Sequence, residues 1–194
     1  MGKATGPTYK VAYRRRRKNA TNYTKRLALI KSESSRLVVR ASNKGVLVQV
    51  ISFDPAGDKT LACAKSSEVE KFGWLSQANT PTAYLTGALA AKKALAAGAK
   101  SCNLDIGMST PSAGRILFAA AMGAKDAGLA LSLGEGLVDM KRIDGSHISE
   151  YAKKLEEENK EKFSKQFSRY IKKNVDVKNL PSVFAKAKGK ILSG

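Results

Sequence analysis

The stretch between Tyr9 and Arg40 carries more positive charge than a folded interior can hold. It contains the unbroken basic run from Arg14 to Lys18, and no acidic residue precedes Glu33. Cations at this density repel one another and cannot be buried without partners. A polyanion supplies such partners, because guanidinium groups fork onto phosphate oxygens. We therefore interpret this stretch as a nucleic-acid-binding arm.

Two aromatic residues, Tyr13 and Tyr23, flank the basic run and offer flat faces on which unpaired bases can stack. A solvated basic tail or a nuclear-localisation signal is the simpler alternative for Arg14 to Lys18, since short basic runs are common. That alternative explains less of the sequence, because the positive bias continues through Arg36 and Lys44 into strand-like segments.

Charge divides the chain of 194 residues into three parts. Residues 1–52 carry a net charge of +12, residues 53–150 carry zero and residues 151–194 carry +7. Hydrophobic residues make up 43% of the chain, which favours a folded body over a wholly disordered protein. No apolar run is long enough to span a bilayer, so we expect no membrane partner. We predict a basic arm with a short helix over 1–33, an α/β body over 34–147 and a helical basic extension over 148–194.

Three strand-like runs with short turns between them open the predicted body. They are residues 36–42 (RLVVRAS), 46–53 (VLVQVISF) and 59–65 (KTLACAK). Consecutive strands joined by short turns pair antiparallel, which predicts a meander. Apolar residues at helical spacing predict a short helix before them, over about 21–32, with Thr21 or Asn22 as its N-cap.

Two alanine-rich segments, 80–98 and 110–128, follow the meander. Each begins with a Thr-Pro pair and closes with Ala-Gly, which predicts a helix with proline in its first turn and glycine after its last. Each is followed by a short apolar strand, over 102–106 and 129–133. Strand–helix–strand units pair their strands in parallel. The predicted fold class is therefore α/β, β-β-β-α-β-α-β, with a mixed five-stranded sheet flanked by helices.

The segment from Ile148 onward is predicted to be helical. An apolar stripe lies near one face at helical spacing, and we expect its first half to pack on the body. The residues of the stripe are Tyr151, Leu155, Phe163, Phe167, Tyr170 and Ile171. Residues 174–181 should interrupt the helix, and residues 182–192 should form a short second one.

Signals for catalysis are weak in this sequence. It contains no phosphate-binding loop of Walker spacing. Asp105 is the one acid placed like a catalytic residue, near a strand end, although such a residue more often caps a helix or pairs with an arginine. Arg115 lies early in a predicted helix, against the dipole preference, and either a phosphate partner or solvent exposure explains it. We predict no enzyme activity, no cofactor, no metal site and no small-molecule substrate, although the residues alone leave a metal nuclease open.

Several longer motifs occur in a fixed order along the chain. They are Tyr13–Arg17, Lys25–Leu27, Arg36–Lys44, Phe72–Trp74, Asn79–Gly87, Leu104–Gly107 and Arg142–Ile148. In this order, over nearly the whole chain, they resemble the archaeal and eukaryotic form of the large-subunit ribosomal protein L-eighteen family. The segment after Ile148 resembles the archaeal type and is absent from bacterial relatives.

This resemblance implies both a topology and a set of partners. The implied sheet order is 3-2-1-4-5 with strand 2 antiparallel. The implied partners are 5S rRNA, the large-subunit rRNA and neighbouring ribosomal proteins of the central protuberance, in the cytoplasmic large ribosomal subunit. From the sequence and the resemblance together, the candidate RNA-binding residues are Lys3, Lys10, Tyr13, Arg14, Arg15, Arg16, Arg17, Lys18, Asn22, Tyr23, Lys25, Arg26, Arg36, Arg40, Asn43 and Lys44.

Two other functions remain open from the residues alone. In an RNA-processing nuclease, Asp105 would be essential and magnesium would support cleavage. A general basic nucleic-acid-binding protein that compacts DNA would bind duplex DNA as well as RNA, without preference for 5S rRNA.

Overall fold

A mixed sheet of four strands forms the centre of the protein. The computed structural model describes residues 6–193. Within that range the strands are β1 (Ser35–Ala41), β2 (Val46–Ser52), β3 (Lys59–Lys65) and β4 (Cys102–Asp105), in the order β3-β2-β1-β4. Strand β2 pairs antiparallel with both β1 and β3, whereas β1 and β4 are parallel. The predicted α/β class, the antiparallel strand 2 and the order 3-2-1-4 are confirmed.

The prediction of a fifth strand over 129–133 is wrong. Only Ala130 of this segment pairs, through a single parallel bridge to Ser101. Its two leucines are nevertheless buried, Leu129 at 1% and Leu131 at 8% exposure, and both belong to the core. The apolar character of the segment therefore reflects packing rather than a ladder of hydrogen bonds. The sheet therefore ends at β4, and its order is 3-2-1-4 rather than the predicted 3-2-1-4-5.

Alternation along the strands decides which face of the sheet meets the core. Val46, Val48 and Val50 of β2 are buried, while the residues between them are half-buried. Two helices cover this face: α3 (Thr80–Ala96) packs on β2 and β3, and α4 (Ile116–Asp126) packs on β1. The body is thus a sheet with an alanine-rich helical layer on one side.

The two long helices differ in how well their starts follow the sequence pattern. Helix α3 has its proline in the first turn as predicted, and the Asn79 side chain caps it by accepting from the Thr82 amide at 3.0 Å. Helix α4 begins at Ile116, later than the Thr-Pro pair at 110 predicted. Gly114 takes a left-handed φ of 76°, and its N–H donates to the Leu137 carbonyl at 2.9 Å. This contact holds residues 110–114 as a loop.

The C-terminal part is helical, as predicted, but more fragmented than the sequence pattern suggested. Its helices are α5 (Met140–Ile143), α6 (Ser146–Glu158), α7 (Lys160–Gln166), α8 (Ser168–Lys172) and α9 (Leu180–Ser193). Asn159 interrupts the first long stretch with an extended backbone, and its side chain caps α7 by accepting from the Lys162 amide at 3.0 Å. Over residues 6–193, no helix is both long and apolar enough to cross a bilayer.

The C-terminal helices share the core of the sheet. Leu155, Phe167 and Phe184 are buried in the same cluster as the strands. The Phe184 ring centroid lies 5.9 Å from that of Trp74 and 5.5 Å from that of Tyr84. Aromatic pairs at these separations add stability beyond the area they bury. The extension therefore packs on the body rather than standing apart from it.

Helices α3 and α4 approach each other backbone to backbone at two glycines. A Cβ atom on Gly87 would overlap the carbonyl of Ala120, and one on Gly123 would overlap the carbonyl of Tyr84. A residue without a side chain is needed wherever two backbones come this close. These two glycines thus set the separation of the helical layer.

Replacing Gly87 with alanine is expected to lower the free energy of unfolding by about 1–3 kcal/mol, because the two helices must move apart. Urea denaturation measures this change. Gly189→Ala in α9 is the matched control, since a Cβ there meets nothing within 4 Å. That control should be neutral or stabilise the fold by up to about 1 kcal/mol. Equal losses for the two substitutions would contradict the close approach of α3 and α4.

Candidate RNA-binding surface

The basic run forms one turn of helix within the arm predicted over residues 1–33. Helix α1 spans Arg14–Arg17, and the Ala20 amide donates to the Arg15 carbonyl at 2.9 Å. The Arg15 side chain reinforces this turn, since its Nε donates to Thr21 Oγ1 at 2.8 Å. All four arginines are exposed. The turn therefore spreads their guanidinium groups around a short, solvent-facing segment.

A second helix, α2 (Tyr23–Lys31), connects this turn to the sheet. Asn22 caps it, with its side-chain oxygen accepting from the Lys25 amide at 3.1 Å, so the predicted helix and one of its two predicted caps are confirmed. The rings of Tyr13 and Tyr23 lie 5.4 Å apart, and Tyr13 is 74% exposed. One aromatic face is therefore held beside the cations and open to a stacking base.

Most cations of this surface have no acidic neighbour. Among the predicted RNA-binding residues that the structure describes, the exposed cations that form no ion pair with a carboxylate are Lys10, Arg14, Arg15, Arg16, Arg17, Lys18, Lys25 and Lys44. Their summed potential is positive and unneutralised by the protein itself. Such a surface attracts a polyanion.

Three other arginines form a network with two aspartates behind this surface. Arg36 is 3% exposed; its Nη1 donates to Asp105 Oδ2 at 3.1 Å and its Nη2 to Asp58 Oδ2 at 2.6 Å. Arg26 of α2 donates to Asp58 Oδ1 at 2.9 Å. The network therefore connects α2 to the turn between β2 and β3 and to the ends of β1 and β4. It fixes the arm helix on the body.

Arg40 completes the network at the end of β1. Its Nη1 donates to the Asp105 carbonyl at 2.8 Å and its Nη2 to Asp105 Oδ1 at 3.1 Å. Gly107 takes a left-handed φ of 63°, and a Cβ there would lie 2.9 Å from the Arg40 guanidinium carbon. Asp105 also accepts from the Gly107 amide at 2.8 Å. The sequence left three roles open for Asp105, namely a catalytic acid, a helix cap and the partner of an arginine. This geometry matches the partner of an arginine.

The electrostatics of the network keep the Asp58 carboxylate charged. Burial alone would raise the pKa of Asp58, but hydrogen bonds from Arg36 and Arg26 outweigh it and hold that pKa below the ordinary value of 3.8. A cavity of about 430 Å³ lies beside the network, and it is lined by Asp58 and Asp105 together with arm residues such as Arg15, Asn22 and Lys25. The ion pairs thus form the floor of a groove whose rim is basic.

Sequence comparisons agree with this arrangement. The family described as ribosomal large subunit proteins 60S L5 and 50S L18 matches residues 7–100. The large ribosomal subunit protein uL18 of Metallosphaera sedula is 46% identical over 192 residues, covering 98% of both chains. The uL18 protein of Saccharolobus solfataricus is also 46% identical, covering 98% of this chain and 96% of its own. The chain belongs to the uL18 family.

With the uL18 family established, the candidate residues separate by their surroundings. Lys3 lies outside the described residues. Lys10, Tyr13, the run from Arg14 to Lys18, Lys25, Asn43 and Lys44 are exposed, and Asn22, Tyr23 and Arg26 are half-buried. Arg40 is half exposed beside Asp105, with 45% of its side chain open to solvent. Arg36 is buried with both terminal nitrogens bonded to carboxylates, so its geometry assigns it to the ion-pair network rather than to a phosphate.

Two residues that position this uL18-family surface were not among the predicted site residues. Asp58 lies in a turn, where an aspartate is explained by turn preference alone. Asp105 was considered as a possible catalytic acid near a strand end, with a helix cap or an arginine pair as its more common roles, but its partners were not identified. Arg36, the arginine that both aspartates share, lies 22 positions from Asp58 and 69 positions from Asp105 along the chain. The only sequence signal was the presence of arginines inside strand-like runs, since a buried arginine requires a carboxylate.

Proposed function

We propose that this protein is a structural constituent of the large ribosomal subunit that binds 5S rRNA and attaches it to the large rRNA at the central protuberance. The observation that most directly supports this proposal is the group of exposed arm cations without carboxylate partners, on a chain whose family is ribosomal. The family consists of ribosomal structural proteins and not of enzymes. The proposed location is accordingly the cytoplasmic ribosome.

The mechanism is electrostatic and geometric. Guanidinium groups of α1 fork onto phosphate oxygens and release the counterions that those phosphates had condensed. Tyr13 offers its exposed ring to an unstacked base, while α2 holds the arm at a fixed angle to the body through Arg26 and Asp58. RNA recognition of this kind depends on backbone and shape more than on sequence. A rigid body carrying such an arm can join two RNAs because its other surfaces stay free.

The C-terminal extension is proposed to contact neighbouring ribosomal proteins or rRNA of the central protuberance. Its net charge is +7 over residues 151–194. Leu155, Phe167 and Tyr170 of its apolar stripe are buried against the body, whereas Tyr151 and Ile171 are about half exposed. The surface of the extension that remains available is therefore largely charged, with these two apolar side chains within it.

A competition experiment tests the proposal. Labelled 5S rRNA bound to the full chain is challenged with excess tRNA and with duplex DNA, and the RNA is checked for cleavage with magnesium present. We expect an excess of either competitor to displace much less labelled 5S rRNA than the same mass of unlabelled 5S rRNA does. With about eight phosphates engaged, log affinity should fall with log salt with a slope of roughly −6 to −7.

Each competing function predicts a different result in that experiment. Cleaved RNA would indicate a nuclease, although Asp105 is occupied by two arginines. Displacement by duplex DNA as effective as by unlabelled 5S rRNA would indicate a general basic binder, and would overturn the proposed 5S specificity.

A further inference from the structure

A second basic cavity lies at the edge of the body, beside the ends of β1 and the β4–α4 loop. Its volume is about 440 Å³. Three of its lining residues are basic or imidazole side chains, namely Arg115, Arg142 and His147, and none of the residues that line it is acidic. The groove beneath α2, by contrast, contains both aspartates of the ion-pair network. The side chains that line the second cavity therefore carry positive charge, and no carboxylate among them neutralises it.

The two arginines of this cavity have no carboxylate partner. Across residues 6–193, neither Arg115 nor Arg142 forms an ion pair, whereas Arg26, Arg36 and Arg40 each do. Arg115 is nevertheless held in place, because its Nη1 donates to the Thr110 carbonyl at 2.8 Å. The remaining donors of its guanidinium fork stay available for an external acceptor.

The placement of Arg115 adds to the unbalanced charge. It occupies the N-cap position of α4, which has no side-chain cap and no acid in its first turn. A cation at a helix N-terminus is repelled by the helix dipole. An anion bound in the cavity would offset both the dipole and the guanidinium, which would account for an arginine at this unfavourable position.

His147 points to the same kind of ligand. Its Nδ1 is enclosed by protein and has no hydrogen-bond partner in the part of the chain that the structure describes. His147 is one of the residues that line the cavity, so its imidazole can supply an N–H to a ligand there. Its neighbours in the lining include Asn79 and Ser109, whose polar groups suit a hydrogen-bonding anion.

The cavity lies next to the arm. Met108 lines a groove with Arg16 and Asn19 of the arm, and the following residue, Ser109, lines the basic cavity. The groove and the cavity thus meet at adjacent residues of one loop. An RNA backbone that follows the arm can reach the cavity without leaving the protein surface.

We propose that this cavity binds a phosphate of the rRNA backbone and forms a second RNA anchor beside the arm. Arginine forks match the oxygens of a phosphodiester in geometry and charge. The inference rests on the proposed rRNA binding, which it extends from the arm to Arg115 at the start of α4, Arg142 of α5 and His147 of α6. The phosphate belongs either to 5S rRNA or to the large rRNA, and the experiment distinguishes them.

The test compares two charge-matched double variants of the full chain. Arg115→Gln with Arg142→Gln removes the cavity charge, and Lys100→Gln with Lys125→Gln removes two exposed cations elsewhere on the body that form no ion pair in the described chain. Each is titrated with 5S rRNA and, separately, with full-length large-subunit rRNA. We expect the cavity variant to bind one of these RNAs about tenfold more weakly, with a salt slope shallower by about 1. The control should change affinity by less than about twofold.

A second readout follows the cavity itself. His147 is the only histidine in the chain, so its imidazole NMR signals are a single reporter of the site. Inorganic phosphate should shift them in the unmodified protein and in the lysine control, but not in the cavity variant. Thermal melting of both variants identifies any loss of folding.

The outcomes separate this inference from the proposed function. If the cavity variant matches the lysine control on both RNAs and phosphate leaves the His147 signals unmoved, the cavity inference is overturned while 5S rRNA binding stands. If the unmodified protein shows no preference for 5S rRNA over duplex DNA, the proposed function fails instead.

Discussion

Replacing Asp105 with alanine is expected to lower the free energy of unfolding by about 3–5 kcal/mol, because a buried guanidinium loses its partner. Asp105 accepts from Arg36 at 3.1 Å, from Arg40 at 3.1 Å and from the Gly107 amide at 2.8 Å. Arg36 is 3% exposed, so water cannot replace the lost carboxylate. Asp58 alone would remain to balance its charge. Urea denaturation followed by circular dichroism measures the loss.

Two comparisons make the Asp105 result specific. Asp54→Ala removes an exposed aspartate whose side chain accepts only from the Ala56 amide, at 3.0 Å, and should cost less than about 1 kcal/mol. The double variant Arg36→Met with Asp105→Ala should cost less than the sum of the single variants, with a coupling of about 0.5–3 kcal/mol. Strict additivity would show that the two side chains do not stabilise each other, contrary to the network described here.

The meander could be predicted from the sequence because its signals are local. Short turns around Gly45 and Gly57 leave adjacent strands little choice but to pair antiparallel. The alternation of Val46, Val48 and Val50 also selects the buried face, since a shift of one residue would expose all three. These signals need no information from distant parts of the chain, and β1, β2 and β3 follow them.

The features that failed depend on tertiary contacts. Residues 129–133 are apolar in a way that fits a strand or a packed loop equally, and only the position of Ala130 opposite Ser101 decides between them. The start of α4 was misplaced because the Gly114 amide bonds to the Leu137 carbonyl, 23 positions later in the chain. Neither contact leaves a trace in the local pattern of residues.

The candidate RNA-binding surface also combines features that local sequence predicts with features that depend on tertiary contacts. Charge density located the arm, because a run of arginines has no place in a core whatever its neighbours are. Strand arginines are different, since Arg36 can serve a phosphate or a carboxylate, and the choice depends on where Asp58 and Asp105 lie after folding. The basic cavity at Arg115, Arg142 and His147 is assembled from separate segments and likewise follows only from the fold.

Replacing the four arginines from Arg14 to Arg17 with glutamine is expected to weaken 5S rRNA binding about 100-fold at moderate salt. Within the described chain none of them has a carboxylate partner, and all four are exposed, so their loss removes phosphate contacts without removing internal ion pairs. If each engages one phosphate, the slope of log affinity against log salt should become shallower by about 3. Filter binding across a salt series measures both quantities, and thermal melting should show an intact body because α1 buries no residue.

Matched variants test whether the position of these charges or only their total number determines the affinity for 5S rRNA. Changing Lys153, Lys162, Lys165 and Lys172 to glutamine removes four exposed cations from the C-terminal extension and should cost far less affinity. Changing Arg14 to Arg17 into lysine retains the charge but loses the fork, so affinity should be intermediate while the salt slope stays close to that of the unmodified protein. An affinity unchanged by the glutamine variant of the arm, or a loss equal to that of the C-terminal variant, would mean that the arm does not lie along the RNA. The arm would then be a solvated basic segment, and the attachment of 5S rRNA would have to come from the body.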